Sequence, residues 1–357
     1  VRIMLGNLPE LSVFSITNQM YHVLHDLNSS GVDSYHDEEL GWNLEIANYK
    51  GLWPHAHSKF IVVDGKTAAA AGFNYSYLHL PKDHPSGQGL GMTDMAVQMT
   101  GPIAQSVLAA YDDLWANADL FDCLAYPADF PILLSALCRT IETEVTHVPE
   151  VLRFYPLEDE GHSAFALHHT PAHLESDAAL LAALGAAEES IDLFEVNFSL
   201  DTVCVVFAVL SDFCDQDKFA PPYMQALLEA MVERDVRVRA VVEPSAMNGF
   251  ENRMGIRWLQ DNLAKAGKEH NLEVKFSANK MHDKAMLIDE EWLSVGSQNF
   301  HWSAWDTPSL TEYNIATDDP LAIAEFLIEY NHWWELGTPA PEAMLKEDIF
   351  SALQNDS

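Results

Sequence analysis

Two stretches decide the fold: "HAHSKFIVVDGKTAAAAGFN" (55–74) and "KMHDKAMLIDEEWLSVGSQN" (280–299). Each contains H-x-K-x-x-x-x-D, as His57, Lys59 and Asp64 and again as His282, Lys284 and Asp289. In each, an asparagine follows the histidine by seventeen positions: Asn74 and Asn299. One copy is a weak signal. Two copies with the same third member point to a duplicated unit and to a joint role for its polar residues.

The repeat extends outward from the motifs. "TDMAVQMTGP" (93–102) and "TEYNIATDDP" (311–320) align, with Asp94 opposite Glu312, and each is followed by a helix ending in aromatic residues. Upstream, "LEIANYKG" (44–51) matches "LEVKFSAN" (272–279), and "VRIML" (1–5) matches "VRVRAVVEP" (236–244). These alternate as strands do, and the segments between them have helical spacing. The pattern predicts an α/β fold of two lobes, each a sheet flanked by helices. Lobe one covers 1–122, an acidic connector 123–173, lobe two 174–338 and a tail helix 339–357. Lobe two has an upstream helix–strand–helix (176–191, 191–199 and 221–235) with no counterpart in lobe one. We therefore expect lobe one to lack its original helix–strand–helix ahead of Val1.

Composition narrows the function. There are 19 Lys and Arg against 54 Asp and Glu, a net charge of −35. So acidic a surface argues against nucleic acid as a partner, because phosphate backbones are bound by neutralising cations. It also repels a polyanionic membrane. The longest apolar run, "VCVVFAVL" (203–210), is too short to span a bilayer. The four cysteines (123, 138, 204 and 214) fit two local disulfides and buried thiols equally well. On the disulfide reading the protein is secreted or extracytoplasmic.

The spacing has a mechanical meaning. Residues i and i+2 of a strand share a face, so His57 projects with Lys59 and His282 with Lys284. A two-fold pairing of the lobes brings both pairs into one cleft. The apolar "FIVV" and "AML" that follow suit strands buried on both faces. Two lysines and two asparagines can hold the oxygens of a tetrahedral phosphoryl group. Of two histidines, one can attack phosphorus and the other protonate the leaving oxygen. Asp94 and Glu312 can each accept a histidine Nδ1–H and so fix its tautomer. Asp64 and Asp289 read as turn-forming residues in a supporting role. No Cys/His ligand set or carboxylate cluster accompanies these residues, so no metal and no other cofactor is implied. "HHTPAH" (168–173) reads as a solvated connector.

With its duplicated H-x-K-x4-D, the chain resembles the phospholipase D superfamily over nearly its whole length. That resemblance implies two lobes related by pseudo-two-fold symmetry with one active site at their interface, and a covalent phosphohistidine formed without metal. It implies catalytic roles for His57, Lys59, Asn74, His282, Lys284 and Asn299, with Asp94 and Glu312 supporting the histidines. The family usage makes His57 the nucleophile and His282 the acid/base; the symmetry of the copies leaves that choice open. The first lobe is similar to secreted bacterial phospholipases D, and the second to cardiolipin-synthase-like members. Phe73 departs from the pattern where a relative places a small hydroxyl residue. The expected function is hydrolysis or headgroup exchange of phospholipids. A cardiolipin-synthase-like transferase, a nuclease of the superfamily and a non-catalytic adaptor are the rivals. Tyr75, Tyr77, Trp302 and Trp305 follow the two motifs; they suit a lipid entrance with transient membrane-surface contact, or alternatively core packing.

Overall fold

The computed structural model describes residues 1–6, 23, 26–27, 29–32, 36–50, 55–75, 79–123, 138–142, 161–200, 220–244, 246–305 and 308–344. Tyr77, the "VCVVFAVL" run, most of the helix expected within 12–30 and most of the tail lie outside the described residues.

Besides a two-stranded hairpin of His36–Asp37 with Trp42–Asn43, lobe one is split between two sheets, and Cys138–Glu142, within the predicted connector, belongs to one of them. The strands of these sheets are β1 (Arg2–Leu5), β2 (Glu45–Tyr49), β3 (Phe60–Val63), β4 (Thr67–Ala71), β5 (Ala96–Thr100), β6 (Ala118–Cys123) and β7 (Cys138–Glu142), with helix α1 at Ile103–Ala116. One sheet has the order β1-β2-β6-β7 and the other β3-β4-β5. Cys123 and Cys138 are register partners across β6 and β7.

Lobe two is one mixed sheet. Its strands are β8 (Ala164–His169), β9 (Ser190–Glu195), β10 (Arg237–Val242), β11 (Leu272–Phe276), β12 (Lys284–Ile288), β13 (Trp292–Gly296) and β14 (Glu312–Thr317). Their order across the sheet is β8-β14-β13-β12-β9-β10-β11, with Thr338–Pro339 added at the far edge. The segment β8 falls within the predicted connector, yet it pairs with β14 along its whole length and His169 is fully buried. The "HHTPAH" stretch is therefore partly sheet rather than solvated connector. The central strand β9 runs parallel to β10 and antiparallel to β12. Every residue from Ile191 to Glu195 is buried, as a strand covered on both faces requires. Helices Glu175–Ala186, Pro222–Glu233, Ala246–Ala266 and Pro320–Leu336 accompany this sheet. The last opens with Asp319 accepting the Leu321 N–H and Pro320 in its first turn.

The lobes repeat one design with a gap. Among the described residues, no strand of lobe one corresponds to β9, which in lobe two joins the matching halves. The consequence appears in β3. Ile61 and Val63 are 46% and 52% exposed, whereas all of β12 is buried. The expectation that "FIVV" is buried on both faces fails because β3 is an edge strand.

The lobes also share a core. Ala68, Ala70, Val97, Ile103 and Val107 of lobe one belong to one apolar cluster with Phe194, Leu287, Val295, Tyr313 and Tyr330 of lobe two. No described helix is long and apolar enough to cross a membrane.

Candidate active site

Two backbone clips set the site. Residues 55–57 meet Thr311 through a parallel bridge, in which the His57 N–H donates to the Thr311 carbonyl at 3.0 Å. Residues 280–282 meet Thr93 in the same way, the His282 N–H donating to the Thr93 carbonyl at 2.8 Å. Each histidine thus stands beside the residue that follows a threonine of the opposite lobe, and in both cases that residue is the acid.

The acids are exchanged between lobes. His57 Nδ1 lies 2.8 and 3.0 Å from the two carboxylate oxygens of Glu312, and His282 Nδ1 lies 2.9 Å from Asp94 Oδ2. Both lysines are buried among these groups. Lys59 Nζ donates to the His57 carbonyl at 2.7 Å. Lys284 Nζ donates to the His282 carbonyl and also lies 2.8 Å from His282 Nδ1. This last contact breaks the symmetry: His57 Nδ1 faces a carboxylate, while His282 Nδ1 lies between a carboxylate and an ammonium.

Burial dominates the electrostatics. It pushes Glu312 up to about 7 against the pull of Lys59, and Asp94 up to about 7 against that of Lys284. Burial also brings Lys59 down to about 7, with Glu312 opposing the shift. His57 and His282 are held well below the usual imidazole range by burial and by the two lysines. The carboxylate contacts oppose that shift; burial beside two cations outweighs them, and the imidazoles stay neutral near pH 7.

The two halves differ behind the acids. Ser297 accepts the Tyr313 N–H at 2.9 Å and donates to Glu312 Oε2 at 2.5 Å. Counted from its histidine, the counterpart of Ser297 is Gly72, not Phe73, which corresponds to Gln298. The expected departure at Phe73 is corrected accordingly. A Cβ on Gly72 would stand 2.0 Å from Asp94 Oδ1, so close approach of the shorter acid excludes any side chain there. Asp94 Oδ1 instead accepts the Met95 N–H at 2.9 Å. His79, absent from the repeat, fills the space beside Asp94, its ring edge-on to that of His282 with centroids 5.2 Å apart. His79, Asp94 and His282 together form a group able to hold a metal ion. The expectation that no ligand set exists is corrected: the set is invisible in the sequence because the fold assembles it from both lobes.

The other predicted residues are distributed as follows. Asn299 is 8% exposed, its carbonyl held by Trp305 Nε1 at 2.7 Å, and its side-chain Oδ1 is buried without a partner. Asn74 follows β4 and is exposed. Tyr75 is exposed and packs edge-on against Phe73. Trp302 is half-buried against His301. Trp305 does not face a lipid entrance: it is 4% exposed, against Tyr223 and Phe300. Asp289 accepts the N–H groups of Glu188, Glu189 and Ser190, and both Asp64 and Asp289 occupy the left-handed region, as turn residues do.

A clamp behind Asn299 escaped sequence reasoning. Gln298 accepts from Ser176 at 2.6 Å and donates to Asp177 at 2.7 Å. Asp177 also lies 2.9 Å from His169 Nδ1, whose Nε2 is 2.6 Å from Ser309 Oγ. The order Asp–His–Ser matches a hydrolytic triad in distance, but Ser309 and His169 are fully buried, so no substrate reaches them. The chain of bonds braces the "GSQN" turn instead.

Residues 180–334 match the family model described as cardiolipin synthase, PLD-like domain. No curated protein sequence matches the chain. Among solved structures, the phosphatidylserine synthase of Haemophilus influenzae Rd KW20 is similar over 99% of this chain and 79% of its own, with 13% identity and a TM-score of 0.63. Nuc of Salmonella typhimurium, a phospholipase D family member, is similar over 50% of this chain and 99% of its own, with 20% identity and a TM-score of 0.37. NucT of Helicobacter pylori is similar over 50% of this chain and 100% of its own, with 16% identity and a TM-score of 0.37. The PLD-like domain model is thus matched across the second lobe, and the H-x-K-x4-D motif of that lobe stands a second time in the first.

Proposed function

We propose that the chain is a phosphodiesterase and phosphatidyltransferase that cleaves phospholipid phosphodiesters through a covalent phosphohistidine. The observation that carries this is the convergence of two histidine–lysine pairs, each histidine on a carboxylate of the other lobe. His57 Nε2 attacks phosphorus. The bond to the leaving oxygen breaks, and His282 Nε2 gives that oxygen its proton. His282 then takes a proton from water or an alcohol, which attacks phosphorus and releases His57. Lys59 and Lys284, with Asn74 and Asn299, hold the non-bridging oxygens while charge builds on them.

The asymmetry at Nδ1 supports this division of roles. A carboxylate alone at His57 Nδ1 keeps the proton there and leaves the Nε2 lone pair free to attack. At His282, Lys284 can donate to Nδ1, which leaves a proton on Nε2; as Nε2 gives that proton to the leaving oxygen, Lys284 passes its own to Nδ1, so the ring stays neutral.

A second reading, a synthase-like transferase with an alcohol as its natural acceptor, is favoured by the family description over 180–334. The likeness to a phosphatidylserine synthase shows a shared fold only. The net charge of −35 supports lipid over nucleic acid as substrate. An extracytoplasmic setting is supported by the register pairing of Cys123 with Cys138 and is tested by thiol titration without reductant.

Incubation with phosphatidylcholine plus ethanol, with phosphatidylglycerol, and with single-stranded DNA separates these readings. Phosphatidylethanol supports the first, cardiolipin formed from phosphatidylglycerol the second, and cleavage of DNA alone overturns both. His57→Ala and His282→Ala should each abolish turnover.

A further inference from the structure

We propose that His79, Asp94 and His282 form a binding site for a divalent ion of the zinc class, and that its occupancy switches the active site off. Their ligand atoms all lie within 4.8 Å of one another. Two imidazoles with one carboxylate are a donor set that suits zinc and its neighbours over magnesium or calcium.

The geometry around His79 asks for such a partner. Its side chain is 9% exposed, and its buried Nδ1 has no hydrogen-bond partner. The nearest acceptor, Asp94 Oδ2, is 3.6 Å away, too far for a hydrogen bond. It is close to the separation of about 3.3 Å between ligands on a tetrahedral ion with bonds of about 2.0 Å. The Asp94 side chain is 3% exposed and that of His282 20%, which leaves an approach along His282. The ammonium groups of Lys59 and Lys284 oppose a cation here. The acids Asp94, Asp283, Glu195 and Glu312 surround the same lysines and offset that opposition to the extent that they are ionised.

The effect on chemistry follows from the atom bound. An ion on His282 Nδ1 takes the lone pair there and displaces the Asp94 and Lys284 contacts, while Lys284 keeps its bond to the His282 carbonyl. The His282 proton is then confined to Nε2, and giving it up would leave an imidazolate. His282 can neither release a proton readily nor attack phosphorus. Binding stands on the three ligands alone; its effect on turnover rests on the phosphodiesterase function proposed above.

The test uses the full chain freed of metal with EDTA. Cobalt(II) is added as a coloured probe, with zinc(II) as competitor. One equivalent of cobalt should give a tetrahedral visible band that zinc abolishes. His79→Gln should lower the affinity about 100-fold or more while leaving the circular dichroism and melting temperature in place. On phosphatidylcholine, zinc should stop the wild type reversibly, and His79→Gln should turn over in EDTA at the wild-type rate and resist zinc. An unchanged cobalt band in His79→Gln overturns the site, as does its absence in the wild type. A band that depends on His79 in a chain without turnover supports the site and refutes the phosphodiesterase function instead.

Discussion

The substitution Glu312→Gln exchanges one oxygen of the site for an NH2 group and should silence His57. In the native arrangement Ser297 accepts the Tyr313 N–H, so its own proton points at Glu312 Oε2. The amide introduced by the substitution would keep its oxygen on Ser297 and turn its NH2 toward His57. That group donates, so His57 Nδ1 must accept, and the proton moves to Nε2. The nucleophilic lone pair is then gone. Loss of the charge-assisted bond alone is worth about 1.5–3 kcal/mol, or about 10- to 150-fold in rate. The tautomer reversal adds to this; the equivalent Asp to Asn change in a serine-protease triad costs about 10⁴. We therefore expect kcat for choline release from phosphatidylcholine to fall about 10³- to 10⁴-fold with KM little changed. The ¹⁵N shifts of the His57 ring should report Nε2–H in the variant and Nδ1–H in the wild type, whatever the substrate. A loss under about tenfold, or an Nδ1–H ring in the variant, would refute the assignment.

Three further outcomes follow from the same geometry. Glu312 near 7 loses its acceptor role towards His57 as pH falls, while Lys59 near 7 loses its charge as pH rises, so kcat/KM should peak narrowly near pH 7; a plateau from about pH 5 to about pH 9 would contradict the burial of these groups. Gly72→Ala should push the Asp94 carboxylate off its seat and cost about 10- to 100-fold in kcat, with the fold retained by circular dichroism. Asp289→Asn should cost about 1–2 kcal/mol of stability in urea titration and leave the activity of folded molecules unchanged. Burial raises the Asp289 pKa, but its three N–H bonds outweigh that and hold it below the usual range. Its contribution is thus present above about pH 4 and lost as pH falls further.

Much of this was legible in the sequence because a strand period of two and a repeated motif are local signals. His57 with Lys59, His282 with Lys284 and the strands that follow them could be placed from spacing alone. Ser297 was visible as a letter, but its partner was not, since a hydrogen bond to Glu312 depends on how two turns meet. His79 had no signal at all: it lies outside the repeat and gains meaning only where Asp94 and His282 arrive from separate lobes. The exposure of Ile61 and Val63 was hidden because burial depends on a neighbouring strand, and β9 has no described counterpart in lobe one. The strand β8 was missed because its polar "HH" ending mimics a loop, while His169 lies in the interior with Nε2 on Ser309 and Nδ1 beside Asp177.

The crossed acids have a consequence for inheritance. Duplication normally provides a spare, so that one copy can decay while the other carries on. Here each copy holds the other's imidazole in place, so under the proposed function damage to Asp94 should disable the second half as surely as damage to Glu312 the first. The two halves are free to diverge in surface, in edge strands and in the residue behind the acid, as Gly72 and Ser297 have done. Selection must treat the four ionisable partners as a single locus.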